Sequence, residues 1–286
     1  MDTHRIDQSL LADFIQEGLK EDIGTGDVTS LACIPIQSRK NARLLVKDTG
    51  VLAGVEVAEA ILRAVDPACI LRHYIADGSE VRPGQVAFEV EANTQALLKA
   101  ERLLLNTMQR MSGIATETRR YSALIADLPT RVLDTRKTTP LLRFLEKAAV
   151  AIGGGENYRS GLYDWFMIKD NHIDACGGID IAIERVASYQ KMQGLHLNVT
   201  VEVRSLAELD VVLQKGQVTR IMFDNFHPAE LVEGVARVAK RFETEASGGI
   251  TAATLRDYAL TGVDYISIGA LTHSFKSLDL SFKIDK

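Results

Sequence analysis

The sequence is poor in the features that define several protein classes. Only three cysteines occur (Cys33, Cys69 and Cys176), none in a C-x-x-C pair, so neither a disulfide framework nor a thiolate zinc site is indicated. Scattered thiols suit a reducing compartment, and the expected location is the cytoplasm. The six histidines show no H-x-x-x-H spacing, which argues against a zinc centre. There is no G-x-S-x-G turn and no cysteine beside a candidate base, so nothing points to a nucleophilic side chain. No run approaches the roughly 18 apolar residues of a membrane span. The opening segment MDTHRIDQSLLADFIQEGLKED is broken by charges and lacks the apolar stretch of a signal peptide. Basic residues do not exceed acidic ones, and a net charge of −5 argues against broad nucleic-acid binding.

What is present is an ordinary globular composition, 46% hydrophobic and 25% charged, long enough for two domains. The carboxy-terminal half alternates strands and helices. RVLDTR (131–136), WFMIK (165–169), LNVTVEV (197–203), RIMFDN (220–225), ETEAS (243–247) and VDYISIGAL (263–271) read as strands. The segments between them are long enough for helical crossovers, as a parallel sheet requires. One of these helices is expected over 140–152, with Pro140 in its first turn. The first part reads as α+β: a helix near 8–20, short strands such as ARLLVKD and QVAFEVEA, and a long helix from about 95 to 126. We divide the chain into 1–113 and 114–271, with the tail from about 272 to 286 as a segment that could return to the first domain.

Strand parity locates a site. In LNVTVEV, Leu197, Val199, Val201 and Val203 share one face while Asn198, Thr200 and Glu202 share the other. A parallel sheet covered by helices on both faces should be apolar throughout. A β/α barrel resolves the conflict, with valines turned to the outer helices and polar residues inward. By the same phase Met222 and Asp224, Glu245 and Ser247, and Ser267 face the interior. With Arg136, Lys137 and Lys169 they are placed at the carboxy ends of strands, the face that carries active sites in such barrels. Any one alone would read as a charged strand end meeting solvent, but six strands ending this way indicate a site. A basic cluster around 131–147 has two readings, a solvated helix face for Arg143 and Lys147 or a pocket for a small polyanion. Gly248 and Gly249, ahead of a helix expected near Thr251, and Gly269 suit backbone binding of a phosphate. Two carboxylates, Glu202 and Asp224, near such a site suit Mg²⁺ held largely through water and substrate oxygens. The residues by themselves indicate electrostatic catalysis on a phosphorylated, polyanionic ligand.

EDIGTGDVTS, AERLLLNTMQRMSGIAT, DTRKTTPLLRFLEKAAVAIGGGENYRSGLYD and IKDNH, followed by VEVRS, IMFDNF, EASGGI and ISIGALTHS, resemble quinolinate phosphoribosyltransferases over essentially the whole chain. The resemblance implies an α/β fold, an incomplete parallel β/α barrel with an N-terminal open α/β sandwich domain. It implies transfer of a phosphoribosyl group from phosphoribosyl pyrophosphate to quinolinate with loss of CO₂, giving nicotinate mononucleotide for NAD synthesis. It also implies a Mg²⁺ requirement and a homodimer in which Arg102 serves the neighbouring subunit's site. Arg102, Arg136, Arg159 and Lys169 would hold the quinolinate carboxylates, and Lys137 would meet the pyrophosphate. Glu202 and Asp224 would take the ribose hydroxyls and the metal, while Ser247, Gly248, Gly249 and Gly269 would bind the 5′-phosphate.

Two positions depart from the family pattern. Tyr158 in the substrate set stands where His is usual, and Leu141 follows Pro140 where Gly is usual. The second reads as a packing change, because helix interiors prefer Leu to Gly. Three other assignments compete: a phosphoribosyltransferase-like protein of molybdenum-transport operons, a lyase using Lys169 as a Schiff base, and an inert binding protein. IKDNH favours quinolinate over the first.

Overall fold

The computed structural model describes residues 6–285. Its strands are Arg39–Val46 (β1), Gly50–Val51 (β2), Ile70–His73 (β3), Glu80–Val81 (β4), Val86–Asn93 (β5), Arg131–Leu133 (β6), Phe166–Ile168 (β7), Val199–Val203 (β8), Arg220–Asp224 (β9), Glu243–Ser247 (β10), Tyr265–Ser267 (β11) and Leu280–Ile284 (β12). Packing divides the chain into two units. One comprises the chain up to Arg119 together with Thr139–Gly154 and the segment from Ser274 on; the other comprises Arg120–Thr138 and Gly155–His273.

The first unit is built on an antiparallel sheet of order β12-β1-β5-β3. One face of β1 is closed by Ala42, Leu44 and Val46, each fully buried, and alternate residues Arg39 and Arg43 reach acidic partners at the surface. The helix Gln8–Ile23 begins at Asp7, whose carboxylate accepts from the Ser9 and Leu10 amides and so satisfies two donors that the first turn leaves open. The long helix Thr94–Ala123 buries Leu97, Leu104, Met108 and Met111 at helical spacing, the stripe legible in the sequence.

The second unit is a parallel sheet of order β6-β11-β10-β9-β8-β7, with helices after the strands. Its two end strands, β6 and β7, do not pair with each other, so the barrel is incomplete. A single parallel bridge joins Leu133 to Glu156 beside β6. The outward residues make the apolar layer between strands and helices: Val199, Val201 and Val203 of β8 and Ile221 and Phe223 of β9 are all buried. Phe223 fixes one helix directly. A Cβ on Gly234, in the helix Pro228–Val238, would lie 2.5 Å from the Phe223 ring, so only glycine lets that helix sit on β9.

Two readings of the 131–152 region are corrected. The helix starts at Arg143, not Pro140, because Leu141 has φ +68°, which no right-handed helix accommodates. Leu141 is 92% exposed, so its side chain is not packed among the described residues, and helix preference does not explain it. Nor is Lys147 on a solvated face: it is 5% exposed, and its neighbour Glu146 is fully buried, accepting from Arg110 Nε at 3.0 Å.

A left-handed leucine costs about 1 kcal/mol relative to glycine. Leu141→Gly is therefore expected to raise the unfolding free energy by about 1 kcal/mol, read as a higher urea midpoint at unchanged slope, whereas a helix-interior position would lose about 1 kcal/mol. Equilibrium unfolding of the two proteins reads the sign.

Candidate active site

The carboxy ends of the parallel strands open into a cavity of about 750 Å³ that lies wholly within the second unit. Its wall includes Arg136, Lys137, Tyr158, Arg159, Lys169, Glu202, Asp224, Ser247, Gly248, Gly249 and Gly269. Eleven of the twelve residues to which the family resemblance gives a place in the site thus share one cavity. Arg102 is the exception; it lines a separate cavity of about 450 Å³ within the first unit, with Glu21, Asp22 and Arg110.

Each wall residue is placed by its strand. Arg136 and Lys137 follow β6, Lys169 follows β7, Glu202 lies near the end of β8, and Asp224 and Ser247 end β9 and β10. Four cations therefore face two carboxylates. Lys169 Nζ is 3.6 Å from Glu202 Oε2, an ion pair too long to be a hydrogen bond. Glu202 Oε2 is buried and has no hydrogen-bond partner. Burial pushes the Glu202 carboxyl above the usual range and the Asp224 charge pushes the same way, while Lys169 opposes both. Arg159, 9% exposed, is held below the usual guanidinium range by burial and then by the like charge of Arg136. Two guanidinium groups kept together against their own repulsion are prepared for an anion.

Glycine at 248 is required twice over. Its φ is +105°, and a Cβ there would lie 2.1 Å from Asn225 Oδ1. Asn225 itself has φ +57° and donates from Nδ2 to Asp224 Oδ2 at 2.9 Å, while its main-chain N–H donates to the Ser247 carbonyl. It thereby ties the β9 carboxylate to the glycine turn after β10. The helix expected near Thr251 begins only at Leu255, and the Thr251 amide donates to Thr254 Oγ1. The turn of Gly248 and Gly249, not a helix end, shapes that wall.

Parity misplaced one residue and missed others. Glu245 faces inward but does not reach the cavity; it is fully buried at mid-strand, 3.3 Å from Arg220 Nη1. Arg220 had no signal beyond its inward phase at the start of β9. Asn225 was visible as a polar residue ending a strand, and His273, which also lines the cavity, as the only histidine following a strand-end glycine. Met167 and Met222 give the cavity an apolar base that parity could have placed.

Among the described residues no cluster of three or more His, Cys, Asp or Glu could enclose a metal by itself. The donors present do fit a cation shared with a ligand. Glu202 and Asp224 repel each other, and a buried oxygen of Glu202 lacks a donor.

Comparison with known proteins assigns this architecture to a family. The sequence profile of the quinolinate phosphoribosyl transferase N-terminal domain matches residues 27–112, and that of its C-terminal domain matches residues 114–283. A quinolinate phosphoribosyltransferase [decarboxylating] 2a, mitochondrial, of Nicotiana tabacum is 45% identical, covering 95% of this chain and 81% of the relative. A probable nicotinate-nucleotide pyrophosphorylase [carboxylating] of Bacillus subtilis is 42% identical, covering 92% and 90%. The structure of the nicotinate-nucleotide pyrophosphorylase from Francisella tularensis superposes with a TM-score of 0.92 at 33% identity, covering 100% of this chain and 99% of that one. The chain belongs to the quinolinate phosphoribosyl transferase family.

Proposed function

We propose that the protein transfers the phosphoribosyl group of phosphoribosyl pyrophosphate to quinolinate, releasing pyrophosphate and CO₂ and forming nicotinate mononucleotide, a step of de novo NAD biosynthesis. The observation that carries this reading is the pairing in one cavity of Arg136, Arg159, Lys137 and Lys169 with Glu202 and Asp224, beside the Gly248–Gly249 turn. Arg136, Arg159 and Lys169, with Arg102 of a neighbouring subunit, hold the two carboxylates of quinolinate and aim its ring nitrogen at the anomeric carbon. Glu202 and Asp224 meet the ribose hydroxyls and the positive charge that develops on the sugar as its C–O bond breaks. Lys137 takes charge developing on the departing pyrophosphate. Ser247, Gly248, Gly249 and Gly269 receive the 5′-phosphate.

Glu202 and Asp224 are also the groups that would share Mg²⁺ with the substrate. Such an ion would neutralise pyrophosphate oxygens. Once ribosylated, the cationic ring stabilises the electron pair left on its carbon when the adjacent carboxylate leaves as CO₂, and that carbon then takes a proton from solvent, so no nucleophilic side chain is required. Tyr158 joins the substrate set through its ring, since its hydroxyl faces Thr200 at 2.6 Å. The assembly is a homodimer. No helix among the described residues is long and apolar enough to cross a membrane. Unpaired, scattered cysteines support a cytoplasmic location, although several plant relatives carry mitochondrial or chloroplastic in their names.

Incubation with quinolinate, phosphoribosyl pyrophosphate and Mg²⁺ should yield nicotinate mononucleotide and CO₂ in equal amounts. Glu202→Ala and Asp224→Ala should each lower kcat by about 10² or more and leave quinolinate binding nearly unchanged, because they act on charge formed only in the transition state. A variant with normal kcat and lost quinolinate affinity would contradict those roles.

Glu202 also sets a pH dependence of stability. Its native carboxyl holds its proton more tightly than the unfolded one. The native state therefore loses stability as pH rises through the range between the ordinary value, about 4.3, and the raised native one. Glu202→Gln should melt above wild type near about pH 7.5, with the gap closing toward about pH 4. Thermal melts of both proteins across that range decide it.

Arg102→Ala and Lys137→Ala should each be nearly inactive alone. Mixed under conditions of subunit exchange, they should recover partial activity, since one site of each mixed dimer has both residues intact. No recovery despite demonstrated exchange would mean that each site is built within one chain.

A further inference from the structure

Beneath the cavity lies a cluster that the assigned chemistry uses only through the Tyr158 ring. Arg220, 4% exposed, pairs with Glu245 at 3.3 Å and with Glu243. Its guanidinium lies 4.8 Å from the Tyr158 ring centroid, 5.2 Å from that of Trp165 and 4.0 Å from that of Tyr265. Trp165 meets Tyr158 edge-on at 5.4 Å. Above this cation runs a chain of hydrogen bonds. The Trp165 indole N–H donates to Thr200 Oγ1 at 2.9 Å, Thr200 Oγ1 is 2.6 Å from the Tyr158 hydroxyl, and that hydroxyl also bonds the Glu245 carboxylate. The two ends fix the direction. With Glu245 ionised beside Arg220, its carboxylate can only accept, so Tyr158 donates to Glu245 and Thr200 donates to Tyr158 while accepting from the indole. Ser267 and Arg220 supply the other donors to Glu245.

The middle of this chain, Thr200, is fully buried and does not line the cavity, yet it holds both residues that fix Arg159. Tyr158 precedes Arg159 and is anchored twice, through its hydroxyl to Thr200 and through its main-chain N–H to Asp134 Oδ1 at 2.8 Å. Trp165 offers its carbonyl to Arg159 Nη1 at 3.5 Å, and its indole is the other group bonded to Thr200. One hydroxyl thus ties down both ends of the segment from 158 to 165. A fully determined network of this kind holds a geometry more tightly than its separate bonds would.

We propose that Thr200 is a positioning residue for substrate recognition: its hydroxyl fixes Tyr158 and Trp165, and through them aims the Arg159 guanidinium at a substrate carboxylate. This rests on the reading of Arg159 as a quinolinate ligand. Thr200→Val keeps the shape but removes the hydroxyl, leaving the tyrosine oxygen without its donor and the indole N–H without an acceptor. The consequence is a loosened segment and a less well-aimed guanidinium. Binding of quinolinate should weaken, while the phosphoribosyl pyrophosphate side should not: Lys137, Asp224 and the glycine turn stand on other strands, and Glu202, on β8 itself, is held by main-chain pairing to β9 that Thr200→Val leaves intact.

The test is steady-state kinetics with both substrates varied, on wild type, Thr200→Val and Thr200→Ser. Thr200→Val should raise KM for quinolinate about tenfold, with kcat and KM for phosphoribosyl pyrophosphate within about twofold of wild type. Thr200→Ser, which restores the hydroxyl, should behave as wild type. Trp165 is the chain's only tryptophan, so its fluorescence reports the segment directly. Acrylamide should quench it more strongly in Thr200→Val than in the other two proteins. An unchanged KM for quinolinate in Thr200→Val overturns the proposal. So does a Ser variant that matches the Val variant, since the hydroxyl would then be irrelevant, and so does a fall in kcat with a rise in both KM values that follows a fall in the melting temperature. A wild type that neither binds nor converts quinolinate would overturn the assigned reaction itself, and with it this role; a wild type active on quinolinate confines any failure to Thr200.

Discussion

A barrel of parallel strands encloses residues that cannot reach water, and in this protein the buried pair of Arg220 and Glu245 decides what that interior can hold. Two charges removed from solvent are tolerated only when both find full sets of partners. Glu245 finds Arg220, Ser267 and Tyr158; Arg220 finds two glutamates and three aromatic faces. With its base closed in this way, the barrel can leave its upper layer under-satisfied. Glu202 keeps an oxygen without a donor, and the like charge of Arg136 bears on the buried Arg159. The lower layer is completed by the chain; the upper one is arranged to be completed by a ligand.

Much of this was legible from alternation alone. The half-polar strand Val199–Val203 could not lie in an open sheet covered on both faces, and the barrel followed from that conflict. The same phase put Glu202, Asp224 and Ser247 in one cavity with the basic residues that follow neighbouring strands. Alternation says which face a side chain takes, not which layer it occupies. Glu245 and Ser247 share a face, but they lie two residues apart along β10, which separates the buried pair from the cavity wall. Arg220 was missed for the same reason: a charged residue at the start of a strand looks like a solvent-exposed end until the aromatic rings around it are known.

Local backbone geometry was the other gap. Pro140 and the apolar spacing after it describe a good helix, yet the chain turns left-handed at Leu141 and delays the helix to Arg143. Nothing in side-chain periodicity reports a positive φ at a leucine. The turn after β10 likewise looked like the approach to a helix. Its shape is instead set by the 2.1 Å that would separate a Cβ on Gly248 from Asn225, a contact between segments more than twenty residues apart.

The gap between β6 and β7 has a consequence for how the barrel is sealed. Where a closed barrel would have a ladder of main-chain bonds, this one has Glu156 bridging to Leu133, followed by a stretch of side chains that runs from Tyr158 to Trp165. The seam is therefore stitched by residue identity and not by backbone repetition. Anywhere else on the sheet a substitution changes a side chain and leaves the ladder intact. Along this seam side chains supply bonds that the ladder supplies elsewhere, so a substitution at Tyr158 or Trp165 removes part of the closure itself.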